Sequence, residues 1–221
     1  MKKIMFNDKY GLTQAVLEGR KTMTRRIVAL ESTLAITWDC VTEIDRDIAI
    51  KNYIVGNIKN RYEVGEVVAI AQCYQDIDNY YYAALRRKTS IHGQIIDELD
   101  LVDIHDIIKW KSLRDDLMNT PGWTNKMFVK ADLMPHHIKI TGIKVERLQD
   151  ISDEDCLEEG VVQKFDADGT PRYYVSWCKH TWAYATDSAK DAYHFLIDKV
   201  SGKGTWESNP YVWVYEFELV D

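Results

Sequence analysis

The residues most capable of chemistry lie in one basic stretch near the N-terminus, from Gly19 to Arg26. Four of its eight residues are basic, and two threonines stand among them. A threonine hydroxyl is a weak nucleophile at its own pKa, so it needs a base close by. A lysine that is partly desolvated and crowded by cations has a lowered pKa and can be that base. A threonine beside a lysine in this stretch could therefore begin acyl-transfer or hydrolytic chemistry.

The path of the chain through this stretch decides whether the two groups can meet. On an extended strand Thr22, Thr24 and Arg26 share one face, whereas Lys21 points away from it. Lys21 can reach Thr24 only if the chain turns at Gly19 or bulges. Arg26 lies on the Thr24 face, where it can orient a carbonyl or phosphate group through charge-assisted hydrogen bonds.

The same residues also fit an ordinary structural interpretation. Cations are favoured near a helix C-terminus, so Lys21 and the arginines can form a solvated junction between a helix and a strand. Threonine is also a common strand residue. The residues alone leave both interpretations open.

Length and composition describe a globular protein. The 221 residues, 46% of them hydrophobic, are enough for one sizeable core. The longest apolar run, residues 67–71, is far shorter than the roughly 20 residues of a membrane span. The apolar run after Lys2-Lys3 is too short for a signal peptide, so we expect a cytoplasmic protein with no membrane partner. A net charge of −7 argues against broad electrostatic coating of nucleic acid but allows a locally basic groove.

Cysteine and histidine spacing predicts no metal site. The four cysteines are widely spaced and form no C-x-x-C pair, so neither a disulfide framework nor a zinc ribbon is expected. The doublet His136-His137, and Cys178 with His180, are too sparse for a metal site. We therefore expect no metal and no cofactor.

Hydrophobic periodicity predicts short strands and helices around the basic stretch. A helix through Leu12 and Val16 ends at Gly19, and Gly142 interrupts a long alternating segment as a β-bulge does. Residues from about 75 to 125 are predicted to be mostly helical. Strands are predicted at 3–6, 22–27, 67–71, 127–129, 138–148 and 211–220, a hairpin at 164–177, and helices at 42–60, 152–160 and 187–202. This order predicts an α+β fold built around a small β-barrel with short peripheral helices.

Four motifs resemble the ASCH domain family in order and approximate spacing. They are G-R-K-T-M-T-R-R after the first helix, V-G-E at 64–66, V-E-R-L-Q-D-I at 145–151, and G-K-G-T-W at 202–206 before an aromatic strand. In that family these motifs belong to one compact barrel similar to the PUA domain. The resemblance implies that residues 1–221 form a single ASCH domain, with about 75–125 as a helical insertion.

The resemblance also implies a function. Family members have a cleft that faces nucleic acid or a nucleoside, so RNA or a modified nucleoside is the expected partner. Long members ending in this G-K-G-T-W motif are often encoded by bacteriophages or prophages. A shorter branch removes the acetyl group from acetylcytidine with a lysine, a threonine and a glutamate, which match Lys21, Thr24 and Glu159 here. Glu159 would act as acid and base, although the acidic run 153–159 is otherwise typical of a solvated helix face.

Two hypotheses follow. In the first, the cleft binds a modified nucleoside and hydrolyses its N-acetyl amide. In the second, the protein is a non-enzymatic RNA-binding or phage accessory module, in which the basic stretch contacts phosphates and aromatic rings stack on bases. The expected ligand contacts are Arg20, Thr22, Arg25, Arg26, Trp206 and Trp213.

Overall fold

The computed structural model describes residues 1–29, 42–89, 102–175 and 185–220, without the side chains of 86–89. Within these ranges the protein is a mixture of helices and strands, with one five-stranded and one two-stranded sheet. None of the described helices is long and apolar enough to cross a membrane. Cys40, Cys178 and His180 lie outside the described residues.

The elements follow one another in an order close to the predicted one. In chain order they are β1 Lys3–Ile4, α1 Leu12–Leu17, β2 Met23–Ile27, α2 Glu43–Asn57, β3 Val67–Ile70, α3 Tyr74–Thr89, α4 Ile104–Met118, β4 His137–Arg147, α5 Asp153–Glu158, β5 Val161–Phe165, β6 Pro171–Val175, α6 Ala189–Ser201, α7 Thr205–Ser208 and β7 Tyr211–Leu219. The described residues divide into two compact units.

The first unit consists of Met1–Phe6 and Val68–His137. Its strand β1 pairs in parallel with β3, and its helices α3 and α4 pack on each other around an apolar cluster that includes Trp110. Helices α3 and α4 lie within the segment predicted to be mostly helical, whose residues 90–101 are outside the described residues. That this segment is an insertion into a single ASCH domain stays a prediction.

One strand prediction in this unit is wrong. Residues Lys126–Phe128 form a 3₁₀ helix, and the side chain of Asn125 accepts a hydrogen bond from the Met127 amide at its start. The Lys3 ammonium donates to the carbonyl oxygens of Met127 and Val129, at 2.8 and 2.7 Å. The alternation of Met127 and Val129 resembles a strand, but these carbonyl groups bind a lysine instead of a neighbouring strand.

The second unit consists of Asn7–Val67 and Ile138–Val220. Strand β7 lies between β2 and β4 and runs antiparallel to both. The register of β4 against β7 shifts between Ile140 and Gly142, which confirms the predicted bulge. Strands β5 and β6 form the predicted hairpin. The sheets of the described residues include no closed barrel, so the PUA-like barrel stays a prediction.

Gly122→Ala should destabilise the protein. A Cβ at Gly122 would lie 2.5 Å from Tyr74 Cε2 and 3.3 Å from the Phe128 carbonyl oxygen. Tyr74 is buried and its hydroxyl accepts a hydrogen bond from the Lys130 amide, so the ring cannot move away without losing contacts. We expect the free energy of unfolding, measured by urea titration, to fall by about 1–3 kcal/mol.

Gly56→Ala is the matched control. Gly56 lies in α2, and a Cβ there would meet no atom within 4 Å. Alanine favours the helix over glycine, so this variant should gain up to about 1 kcal/mol. A loss of equal size in both variants would contradict the steric explanation.

Candidate active site

The basic stretch begins with a turn at Gly19. Gly19 has φ of +69°, and the amides of Arg20 and Lys21 both donate to the Ala15 carbonyl at the end of α1. A turn at Gly19 was one of the two features that the sequence analysis required for Lys21 to approach Thr24. After this turn the Lys21 side chain runs inward before β2 begins, and only 2% of the residue is exposed.

Three oxygen atoms hold the Lys21 amine. Its Nζ donates to the Met23 carbonyl at 2.7 Å, to the Glu159 carbonyl at 2.8 Å and to Glu159 Oε2 at 2.6 Å. An ammonium group has three N–H donors, so three acceptors fit the protonated form. Glu159, the C-cap of α5, is 4% exposed. The structure therefore brings together the lysine and glutamate that the resemblance implied.

Backbone contacts keep the end of α5 against the basic stretch. The Thr22 amide donates to the Glu158 carbonyl at 3.0 Å. Gly160 has φ of +106°, and a Cβ there would lie 3.2 Å from Leu12 Cδ2 and 3.7 Å from Lys21 Cδ. Glycine therefore suits both the backbone conformation and the close approach that set Glu159 opposite Lys21.

Arg25 lies among three carboxylates. Its side chain is fully buried, and Nε and Nη2 donate to Glu146 Oε1 at 3.0 and 2.6 Å. Nη2 also donates to Asp155 Oδ2 at 2.5 Å, and Nη1 donates to Glu159 Oε1 at 3.3 Å. Arg25 and Lys21 therefore bind different oxygens of the same Glu159 carboxylate. The donors of Arg25 are directed at these protein carboxylates. The expected contact of Arg25 with a ligand stays a prediction.

Sheet register explains how Glu146 reaches Arg25. Arg25 pairs with Val214 on β7, and Val214 pairs with Lys144 on β4. Side chains alternate along a strand, so Glu146 faces the same side as Lys144. The Lys144 ammonium lies 3.3 Å from Glu146 and is a further cation at this cluster.

Glu146 and Asp155 were not predicted as site residues from the sequence. Glu146 stands in the V-E-R-L-Q-D-I motif, and Asp155 stands in the acidic run, so both were visible as residues. Neither position signals a contact with Arg25, because partners across a sheet depend on strand order and register. The sequence offered one indication of such contacts, namely the many acidic residues in and beside the motifs that contain arginines.

Burial and ion pairing shift the pKa values of this cluster in different directions. Burial lowers the pKa of Lys21, and the charge of Glu159 partly opposes this effect. Burial alone would also lower the pKa of Arg25, but the nearby carboxylates, Glu159 first, raise it above the ordinary value. Burial raises the pKa of Cys156 to about 12, so this thiol stays protonated and is a poor nucleophile.

Thr24 is next to Arg25 in β2 and forms no side-chain hydrogen bond with the described residues of this cluster. It is 5% exposed, and its hydroxyl has no hydrogen-bond partner among the residues that the structure describes. Because neighbouring side chains alternate, Thr24 lies on the opposite face of β2 from Arg25. The Lys21 amine is bonded to the Met23 carbonyl, one peptide bond from Thr24. Lys21 thus contacts Glu159 directly, whereas it is related to Thr24 only through the backbone of β2.

The other expected ligand contacts are scattered around the unit. Arg20 pairs with Glu18, with Nη2 to Oε2 at 2.5 Å, while Arg26 is exposed. Thr22 is half-buried, and Trp213 is buried on β7 opposite Arg26. One face of Trp206 is covered by a histidine ring, that of His194, at a centroid distance of 5.3 Å. In the described part of the chain these expected ligand contacts do not form one cluster, and their binding roles stay predictions.

A second group of polar side chains lies at the end of α6. His194, Asp198 and Glu207 each offer one ligand atom, and these atoms lie within 4.8 Å of one another. This group was not predicted from the sequence, where, of the histidines, only His136, His137 and His180 were weighed as metal ligands. The signal was present as a histidine and an aspartate four residues apart on one helix, but the third member comes from α7.

Comparison with protein-family models, with curated proteins and with solved structures finds no match to this chain. The ASCH resemblance therefore rests on the four motifs, and membership of the family is a proposal.

Asp155→Asn should destabilise the protein at neutral pH. Burial alone would raise the pKa of Asp155, but the hydrogen bond from Arg25 and the neighbouring cations lower it below 3.8. The stability contributed by this carboxylate is therefore present above pH 3.8 and is lost as the pH falls through the lowered value. We expect a loss of about 1–3 kcal/mol at pH 7 that shrinks below pH 3.8, measured by urea unfolding at several pH values.

Asp153→Asn is the control that distinguishes the Arg25–Asp155 contact from the general effect of a negative charge near a helix N-terminus. Asp153 lies in the same first turn of α5 but is exposed. Its amide variant should change the stability by less than about 0.5 kcal/mol. If both variants lost the same stability with the same pH dependence, the Arg25 contact would not be the cause.

Proposed function

We propose that this protein is an ASCH-type amidohydrolase that removes an acyl group from a modified nucleoside such as acetylcytidine. The observation that carries the proposal is the buried contact between Lys21 and Glu159. Burying two charges costs several kcal/mol, and well-packed apolar side chains often replace such a pair without loss of stability. A buried lysine of lowered pKa beside a carboxylate is therefore better explained by chemistry than by stability.

One proton transfer within this pair would supply both reagents of the reaction. Nζ of Lys21 and Oε2 of Glu159 are 2.6 Å apart, and burial favours the neutral amine. If the ammonium proton moves to the carboxylate, Lys21 becomes a base and Glu159 becomes a carboxylic acid. Amide hydrolysis requires a base for the nucleophile and an acid for the leaving nitrogen.

In the proposed reaction Thr24 is the nucleophile. Lys21 takes its proton, the oxygen attacks the acetyl carbonyl carbon, and the C–N bond breaks as Glu159 protonates the departing cytidine nitrogen. Water then hydrolyses the acetyl ester of Thr24 and releases acetate. Two observations support this assignment. The Lys21 amine donates a hydrogen bond to the Met23 carbonyl, in the peptide that precedes Thr24. The Thr24 hydroxyl forms no hydrogen bond with the described residues.

We also propose, from the resemblance, that residues 1–221 form a single ASCH domain with a PUA-like barrel and a helical insertion at about 75–125. The order β2-β7-β4 of antiparallel strands supports a barrel without closing one. The cleft of such a barrel would take RNA or a modified nucleoside, and exposed Arg26 is suited to contact a phosphate or a base carbonyl there.

The alternative function, a non-enzymatic RNA-binding module, has weaker support. It needs Arg20, Lys21, Arg25 and Arg26 on a surface that phosphates can reach. Lys21 and Arg25 are buried and paired with carboxylates, and Arg20 pairs with Glu18. The charge of the basic stretch is therefore mostly neutralised within the protein.

Thr24→Val should abolish acetylcytidine hydrolysis, because valine keeps the shape of threonine but has no hydroxyl. We expect turnover, followed as release of cytidine, to fall at least about 10³-fold with the fold intact by circular dichroism. Thr141→Val is the control, since Thr141 is an exposed threonine on strand β4 with no role in the proposed reaction, and it should retain turnover. Retained turnover in Thr24→Val would remove the nucleophile assignment, and an inactive wild-type protein would remove the proposed activity.

Salt dependence separates the two functions. Phosphate contacts release counterions, so RNA affinity falls steeply with salt, with a log–log slope of about −0.7 per phosphate on a single strand. We expect hydrolysis of neutral acetylcytidine to change little between low and high salt. Strong binding of single-stranded RNA with a slope near −3, together with no turnover, would favour the binding module.

A further inference from the structure

The G-K-G-T-W motif takes no part in the proposed reaction, yet its backbone is held in place by one side chain. Asp198, near the end of α6, accepts hydrogen bonds from the Gly204 amide at 2.9 Å and from the Trp206 amide at 3.0 Å. These bonds lower the pKa of Asp198, that of the Trp206 amide first. The motif therefore forms a turn that is anchored on an ionised carboxylate.

Two further side chains converge on this carboxylate. His194 lies one helical turn before Asp198, and its Nε2 is 3.9 Å from Asp198 Oδ2. The same nitrogen is 3.2 Å from Oε1 of Glu207, which comes from α7. Two ligands about 2.0–2.1 Å from a zinc ion at the tetrahedral angle lie about 3.3 Å apart. The His194–Glu207 pair therefore already has this spacing, and the three ligand atoms all lie within 4.8 Å of one another.

The surroundings orient two of the three groups. Amide donors fix the Asp198 carboxylate, and the His194 ring stacks on Trp206 with an angle of 18° between their planes. Hydrogen bonds and packing around ligands are typical of metal sites, where they set the direction of the donor atoms. One imidazole nitrogen and two carboxylates suit zinc, and two carboxylates would neutralise its double charge.

We propose that His194, Asp198 and Glu207 form a zinc site that fastens α7 and the turn before it to α6. The histidine and the aspartate come from α6 and the glutamate from α7, so a bound ion would join the two helices. Three protein ligands leave a fourth position for water. The proposal is independent of the amidohydrolase reaction, because Lys21, Thr24 and Glu159 take no part in it.

The test is a titration of the chelator-treated full-length protein with zinc chloride, followed by calorimetry and by thermal unfolding. We expect one ion per chain and a rise in unfolding temperature on addition of zinc, because the ion binds the folded form. His194→Phe keeps an aromatic ring against Trp206 but has no ligand atom. It should bind zinc at least tenfold more weakly and lose the rise in unfolding temperature.

Two further variants sharpen the result. Glu207→Gln keeps the size of the side chain and removes its charge, so it should also weaken zinc binding at least tenfold. His105→Phe is the matched control, because His105 forms an exposed pair with Asp103, at 2.9 Å, outside this group. It should bind zinc as the wild type does. Absence of saturable binding, or equal binding by the wild type and His194→Phe, would overturn the proposal. So would weakening by His105→Phe alone, which would indicate adventitious surface binding.

Discussion

The second unit depends on one shared carboxylate, that of Glu159. Lys21 binds one of its oxygens and Arg25 binds the other, and all three residues are buried. A buried charge without a partner costs several kcal/mol, so each residue requires the other two. This requirement acts on three separate parts of the chain: the turn after α1, strand β2 and the end of α5. Gly19 and Gly160, both with positive φ, let the chain turn at the two places where Lys21 and Glu159 meet.

The same constraint changes how the basic stretch should be understood. Four cations within eight residues resemble a surface for phosphates, yet two of them are directed into the protein. Arg25 makes four hydrogen bonds to Glu146, Asp155 and Glu159, and its Nη1 also lies 3.1 Å from Met23 Sδ. The stretch thus serves mainly to build an interior network of fixed charges. Such a network holds its dipoles in place in a medium of low polarity, which is the condition for strong electrostatic effects on a reaction.

Local patterns predicted most of the elements. The helix before Gly19, the strand after it, the bulge at Gly142 and the hairpin β5–β6 are all present. These features depend on residues close in sequence, on periodicity and on the conformations open to glycine. The strand predicted through Met127 failed because a capping asparagine competes with strand pairing over so short a segment. The roles of Lys21 and Glu159 were assigned by resemblance, and the residues alone did not show which member of the acidic run 153–159 faces inward.

By itself, then, the sequence determined a mixture of helices and strands, a helix that ends before Gly19, and a basic stretch that contains a lysine and two threonines. The tertiary structure alone decided which charges meet. Arg25 and Glu146 are 121 residues apart and become neighbours only through the register of β2, β7 and β4. His194 and Glu207 likewise meet only when α7 folds back on α6. Local periodicity cannot encode such pairs, because they depend on strand order and helix packing, whereas the conformation at a glycine is a property of the residue itself.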